Sequence, residues 1–162
     1  MGQIFSLCNQ KGGVGKTTTA VNLATYLAQS NKKILLIDSD PQGNTTSGLG
    51  LDKNSIEKTV YNLLIGEVTH SEIILQSCVT NLDFIGSNAQ LAGAEVEIIS
   101  AENREFLLKT AVESLRQKYD FIFIDCPPSL GLLTLNSMVA SDGILIPLLN
   151  KVNTYSCASF MI

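Results

Sequence analysis

Histidine is almost missing from this 162-residue chain, with His70 the single instance. It lies in a polar stretch, where a solvated turn residue is expected rather than a base or a metal ligand. The four cysteines, Cys8, Cys78, Cys126 and Cys157, form no C-x-x-C pair. That removes paired-thiol redox motifs and paired-cysteine metal or cluster sites, and leaves reduced, mostly buried thiols as the expectation. No run of like charges reaches five residues, and the net charge is −4. An acidic chain without a visible basic patch is a poor general polyanion binder. No apolar run approaches the roughly 18 residues of a membrane helix. The first eight residues lack the charged and long apolar regions of a signal peptide. A cytoplasmic protein without a membrane partner is the expectation.

What is present is a 45% hydrophobic composition and a length suited to one ordinary domain with a continuous core. Short, nearly continuous apolar runs at 4–8, 34–37, 82–85, 121–124 and 144–148 predict strands covered on both faces. Helical spacing appears over 16–31, carried by Ala20, Val21, Ala24, Leu27 and Ala28, and again over 56–65, where Gly66 stops it. It resumes over 89–99, after Glu102 and over 132–139. The stretch after Glu102 carries Leu107, Leu108, Ala111, Val112 and Leu115 as one stripe, with Glu105 and Lys109 paired outside. Strands separated by helices imply an α/β fold, a mostly parallel sheet with helices on both faces. Ligands then belong at the carboxyl ends of the strands.

Three motifs fall at such ends. The strict phosphate-loop pattern fails, because Gln10 stands where its first glycine belongs. Lys11, Gly12, Gly13, Val14, Gly15, Lys16, Thr17 and Thr18 stand there instead, between a strand and a helix. The glycines let the backbone turn its N–H groups inward as a nest for phosphate oxygens, and the helix start adds a positive field. Lys16 suits the β- and γ-phosphates, the Thr17 hydroxyl suits Mg²⁺, and Thr18 can donate to a phosphate. A glycine-rich turn with incidental lysines would match seven such residues by chance with odds on the order of 10⁻⁵ to 10⁻⁴ in a chain of this length. Lys11 begins the loop and should point away from phosphates held by its own chain. It is either solvated or reaches the nucleotide of a second molecule.

Asp38 and Asp40 follow the second strand, two apart, and emerge on one side if the extended backbone continues, which Pro41 favours. One carboxylate could hold Mg²⁺ through water while the other orients the attacking water. The plainer alternative is a polar strand end that caps a turn or helix. Asp125 ends the run 121–124, the placement of a metal-assisting Walker B carboxylate.

These residues resemble the deviant-Walker ATPases, most closely the ParA/Soj branch that segregates chromosomes and plasmids. The stretches that carry the resemblance are 9–19 (N-Q-K-G-G-V-G-K-T-T-T), 38–50 (D-S-D-P-Q-G-N-T-T-S-G-L-G), 90–95 (Q-L-A-G-A-E) and 125–134 (D-C-P-P-S-L-G-L-L-T). It runs almost without gaps from Met1 to about Leu148. The resemblance implies a P-loop NTPase fold with ATP and Mg²⁺ as cofactors. It gives Lys11, Lys16 and Asp40 catalytic roles, and Thr17, Asp38 and Asp125 places at the metal. Lys11 matches a lysine that reaches across an ATP-sandwich homodimer to the partner's phosphates, and Gly12 a glycine lying against the partner. It further implies non-specific DNA binding by the ATP dimer, hence nucleoid association, and stimulation of hydrolysis by a ParB-type centromere-binding protein.

After Pro147 the likeness ends. The fold is therefore expected to be incomplete at the C-terminus, with 1–148 the N-terminal part of a larger nucleotide-binding domain and 149–162 a divergent tail. A truncated remnant that holds nucleotide without hydrolysing it is the alternative function. A membrane-associating relative would need a C-terminal amphipathic helix, and an iron–sulfur carrier a cysteine pair.

Overall fold

The computed structural model describes residues 1–149 and 158–159. In chain order the elements are β1 (Gln3–Leu7), α1 (Lys16–Gln29), β2 (Ile34–Asp38), α2 (Asn44–Gly48), α3 (Val60–Leu64), α4 (His70–Ile73), β3 (Ile74–Gln76) and β4 (Leu82–Ile85). Then follow α5 (Leu91–Glu97), α6 (Leu107–Val112), β5 (Phe121–Asp125), α7 (Leu132–Ala140), β6 (Gly143–Leu145), β7 (Leu148–Leu149) and β8 (Ala158–Ser159).

Six strands form one sheet in the order β3-β4-β2-β5-β1-β6. All neighbours are parallel except β3, which runs antiparallel to β4 at the edge. The nearly continuous apolar runs have a direct cause: successive side chains of a strand enter opposite cores. Ile34 and Leu36 meet Ala20, Ala24 and Ala28 of α1 on one face. Leu35 and Ile37 meet Leu63, Leu91, Leu108 and Leu133 of α3, α5, α6 and α7 on the other. The alanine stripe of α1 lets that helix lie close to the sheet beside the stacked rings of Phe5 and Phe123, 6.2 Å between centroids.

The central fact for function is the order β2-β5-β1. These three adjacent strands end in register, Asp38 beside Asp125 and Leu7 beside Asp125. The three motif-bearing loops therefore leave the sheet side by side.

Several sequence expectations need correction. The helix expected over 56–65 begins only at Val60, because Thr59 caps it, its N–H donating to Asn62 Oδ1 at 2.9 Å. Gly66 does stop it, with φ +77°. The strand expected over 144–148 covers Gly143–Leu145, and Leu148–Leu149 pair with Ala158–Ser159 instead. Glu105 lies before α6 and binds Arg104 at 3.0 Å rather than Lys109. His70 opens α4 and its Nε2 contacts Ser114 Oγ at 3.0 Å. Cys8 and Cys126 are buried but Cys78 is exposed. Cys157 and most of the tail 149–162 lie outside the described residues.

Candidate functional site

The loop between β1 and α1 turns on Gly13 and Gly15, with φ +72° and +90°, a region that side chains disfavour. Val14, between them, is buried. Gly15 is the N-cap of the 14-residue α1, which has no side-chain cap and no acidic residue in its first turn. Its leading N–H groups and its positive end are thus left for an anion. Lys16 is almost wholly buried, at 8% exposure, and lines the cleft at this loop.

Gly12, Gly13, Gly15, Lys16, Thr17, Thr18, Asp40, Gln42, Asn44 and Pro128 line a cleft of about 300 Å³. The 11–18 loop thus shares one cleft with the loops after β2 and β5. Lys11 is exposed and is not among the lining residues, in keeping with a side chain unused by its own loop. Its N–H donates to Asn9 Oδ1 at 2.9 Å.

The three aspartates occupy different environments. Asp125 Oδ2 accepts hydroxyls from Thr17 at 2.7 Å and Thr45 at 2.6 Å, while its Oδ1 is buried without a partner. Burial raises its pKa, against the pull of Thr45 and Thr17. Asp38 turns away from the cleft: its Oδ2 accepts the N–H and hydroxyl of Thr46 at 2.8 and 2.7 Å, and its Oδ1 accepts the Asp40 N–H at 3.1 Å. Burial pushes Asp38 up to about 7 despite the Thr46 hydrogen bonds. Asp40 lines the cleft, and its Oδ1 accepts the Gln42 N–H at 2.9 Å. The two carboxylates thus separate, Asp38 held inward by Thr46 and by the Asp40 N–H, and Asp40 lining the cleft.

The residues present fit Mg²⁺ held with a phosphate ligand. Among the described residues no group of three or more His, Cys, Asp or Glu side chains could hold a metal by itself. One hydroxyl, one carboxylate with an open buried oxygen, and a phosphate nest form the donor set Mg²⁺ takes with nucleotides. Thr45, Thr46, Gln42 and Asn44 were not singled out from sequence. The Asn-Thr-Thr run after Asp40 was the available signal, but its roles depend on α2 folding back over β2 and β5.

The family model described as AAA domain matches residues 2–160. A curated relative, the sporulation initiation inhibitor protein Soj of Bacillus subtilis, is 54% identical over 91% of this chain and 58% of its own length. A solved cobyrinic acid a,c-diamide synthase from Mycobacterium smegmatis, with a bound ATP analogue and magnesium, is 37% identical with a TM-score of 0.89. That match covers 91% of this chain and 60% of the synthase. A putative plasmid partition protein from Borrelia burgdorferi, bound to AMPPNP, is 37% identical with a TM-score of 0.78, over 90% of this chain and 61% of that one. The chain spans less than two thirds of each.

Proposed function

We propose a function from membership: the chain belongs to the AAA domain family and, within it, to the ParA/Soj branch of partition ATPases. It binds ATP with Mg²⁺ in the cleft and hydrolyses it, serving as a nucleotide-dependent dimerisation switch in chromosome or plasmid partition. The observation that carries this reading is the convergence of Lys16, Thr17 and Asp125 at the uncapped start of α1.

Each residue then has a task. The backbone from Gly12 to Thr18 cradles the phosphates, and the Lys16 ammonium neutralises their β and γ oxygens. Thr17 with its hydroxyl and Asp125 with its unpartnered Oδ1 would hold the metal. Magnesium, when bound, neutralises charge on the phosphates. Asp40, at the cleft, orients the attacking water. Asp38 supports the site by fixing Thr46 and the Asp40 backbone, a role one layer behind the metal. Lys11, exposed, reaches the nucleotide of a second copy, and Gly12 lies against that copy. Residues 1–148 form the N-terminal part of a larger nucleotide-binding domain and 149–162 a tail of divergent sequence. A ParB-type partner and non-specific DNA complete the cycle. Among the described residues no helix is long and apolar enough to cross a membrane.

The test is ATP turnover by the purified chain with Mg²⁺, with and without DNA. Turnover above an Asp40→Ala control supports the hydrolytic switch; nucleotide binding with turnover no higher than that control leaves only a nucleotide holder.

A further inference from the structure

We propose that Cys8 and Cys126 form an oxidisable thiol pair whose disulfide disables the nucleotide site; this rests on the nucleotide-binding reading above. Cys8 follows β1 and Cys126 follows β5, and the parallel ladder continues past their ends through a Cys126 N–H to Leu7 carbonyl bond of 3.2 Å. The two sulfurs lie 3.3 Å apart. Adjacent strands run about 4.8 Å apart, within the roughly 4.4–6.8 Å range of Cα separations that disulfides span. The bridge therefore needs side-chain rotation and a small approach of the strand ends, not a new chain path.

Access to the two thiols differs. Cys8 lines an apolar cleft of about 270 Å³ together with Gln10, Leu130, Met138 and Ile146. Cys126 is fully buried. A small oxidant therefore meets Cys8 first, and Cys126 resolves the product. With hydrogen peroxide, the Cys8 sulfur bonds to one peroxide oxygen as the O–O bond breaks. The thiol proton leaves with the departing hydroxide as water, and a sulfenic acid remains. The Cys126 sulfur then displaces the sulfenic hydroxyl, which departs with the second thiol proton as another water. Two thiols lose two protons and two electrons, and the peroxide is reduced to two waters.

The consequence follows from what flanks each sulfur. Cys8 precedes Asn9, whose Oδ1 accepts the Lys11 N–H at 2.9 Å and whose Nδ2 donates to the Pro147 carbonyl at 2.9 Å. Cys126 follows Asp125, the partner of Thr17 and Thr45. Closing the sulfurs from 3.3 Å to the roughly 2.05 Å of a disulfide draws the base of the phosphate loop toward β5. Displacements of about 1 Å are enough to spoil a positioned polar site.

The experiment uses the full chain carrying Cys78→Ser and Cys157→Ser, so that this pair alone remains. It is treated with hydrogen peroxide and read by intact mass, by non-reducing peptide mapping and by titration with ATP and Mg²⁺. We expect a Cys8–Cys126 linked peptide, loss of two hydrogens, and ATP affinity at least about tenfold weaker, restored by dithiothreitol. Adding Cys8→Ser should leave affinity unchanged by peroxide. Absence of the linked peptide, or a linked peptide with unchanged affinity, overturns the proposal. A reduced chain that fails to bind ATP overturns the functional reading instead, and the mass readout still decides whether the bridge forms.

Discussion

Thr17 donates its hydroxyl to Oδ2 of Asp125 at 2.7 Å, across 108 residues of chain. This contact joins the first turn of α1 to the end of β5, and it leaves Asp125 Oδ1 buried and unpaired. An unsatisfied buried acceptor is costly unless a ligand completes it. Asp125→Asn keeps the shape, removes the charge and gives the carboxylate's place to an amide that can only partly accept. Mg²⁺-dependent strengthening of ATP binding should fall by about tenfold or more in this variant, while binding without Mg²⁺ changes little. Titration with and without Mg²⁺ checks this, and an unchanged Mg²⁺ dependence would remove Asp125 from the metal.

The two neighbouring aspartates should fail in different ways. Asp38→Ala leaves the Thr46 N–H and hydroxyl and the Asp40 N–H without their acceptor in a fully buried site. Each lost partner costs about 1–3 kcal/mol, so thermal melting should drop by several degrees or more. Asp40→Ala should melt near the parent temperature, bind ATP normally and lose turnover. Melting curves beside a turnover assay separate the two, and equal destabilisation by both would contradict the division of roles.

Gly12 has open space where a Cβ would stand, with nothing within 4 Å in the single chain. Gly12→Val should therefore fold and bind ATP as the parent does. If a second copy packs there, the variant should stay monomeric with ATP where the parent dimerises. Light scattering with ATP reads this directly, and an ATP dimer formed by Gly12→Val would refute the packing role.

Stability at low pH should depend on a pair remote from the cleft. Arg116, nearly buried, donates to both oxygens of Asp142 at 2.6 and 3.1 Å, and Asp142 also accepts the Ile4 N–H at 2.8 Å. The Arg116 hydrogen bond holds the Asp142 carboxyl below its ordinary range. A lowered carboxyl pKa contributes stability that is present above the unfolded value of about 3.9 and lost as pH falls through the folded value. Asp142→Asn should cost about 1 kcal/mol near neutral pH, the partly exposed carboxyl being screened, and the difference should vanish in acid. Urea unfolding across that range measures it.

The strands that build the site were legible because their burial on both faces writes a nearly continuous apolar run. The run 82–85 matches β4 without adjustment, and 34–37 and 121–124 each lack only the terminal aspartate. Elements of mixed or polar composition left no such mark. The edge strand Ile74–Gln76 is three residues long and pairs only on one side. The five residues of α2 carry no apolar period, yet they bring Thr45 and Thr46 to Asp125 and Asp38. The strand at 144–148 was cut short near Pro147, which has no N–H to donate. Motif spacing picked out the glycine-rich 11–18 loop and all three aspartates, which the fold brings to adjacent strand ends. It could not say that Asp38 would face inward, since that depends on Thr46, eight residues away.

The account stands most directly on Lys16. The measurement is titration of the purified chain and of Lys16→Ala with ATP and Mg²⁺. Saturable binding by the parent is expected, with a loss of at least about a hundredfold in the variant and its fold intact by circular dichroism. A folded Lys16→Ala chain that binds ATP as tightly as the parent would contradict it.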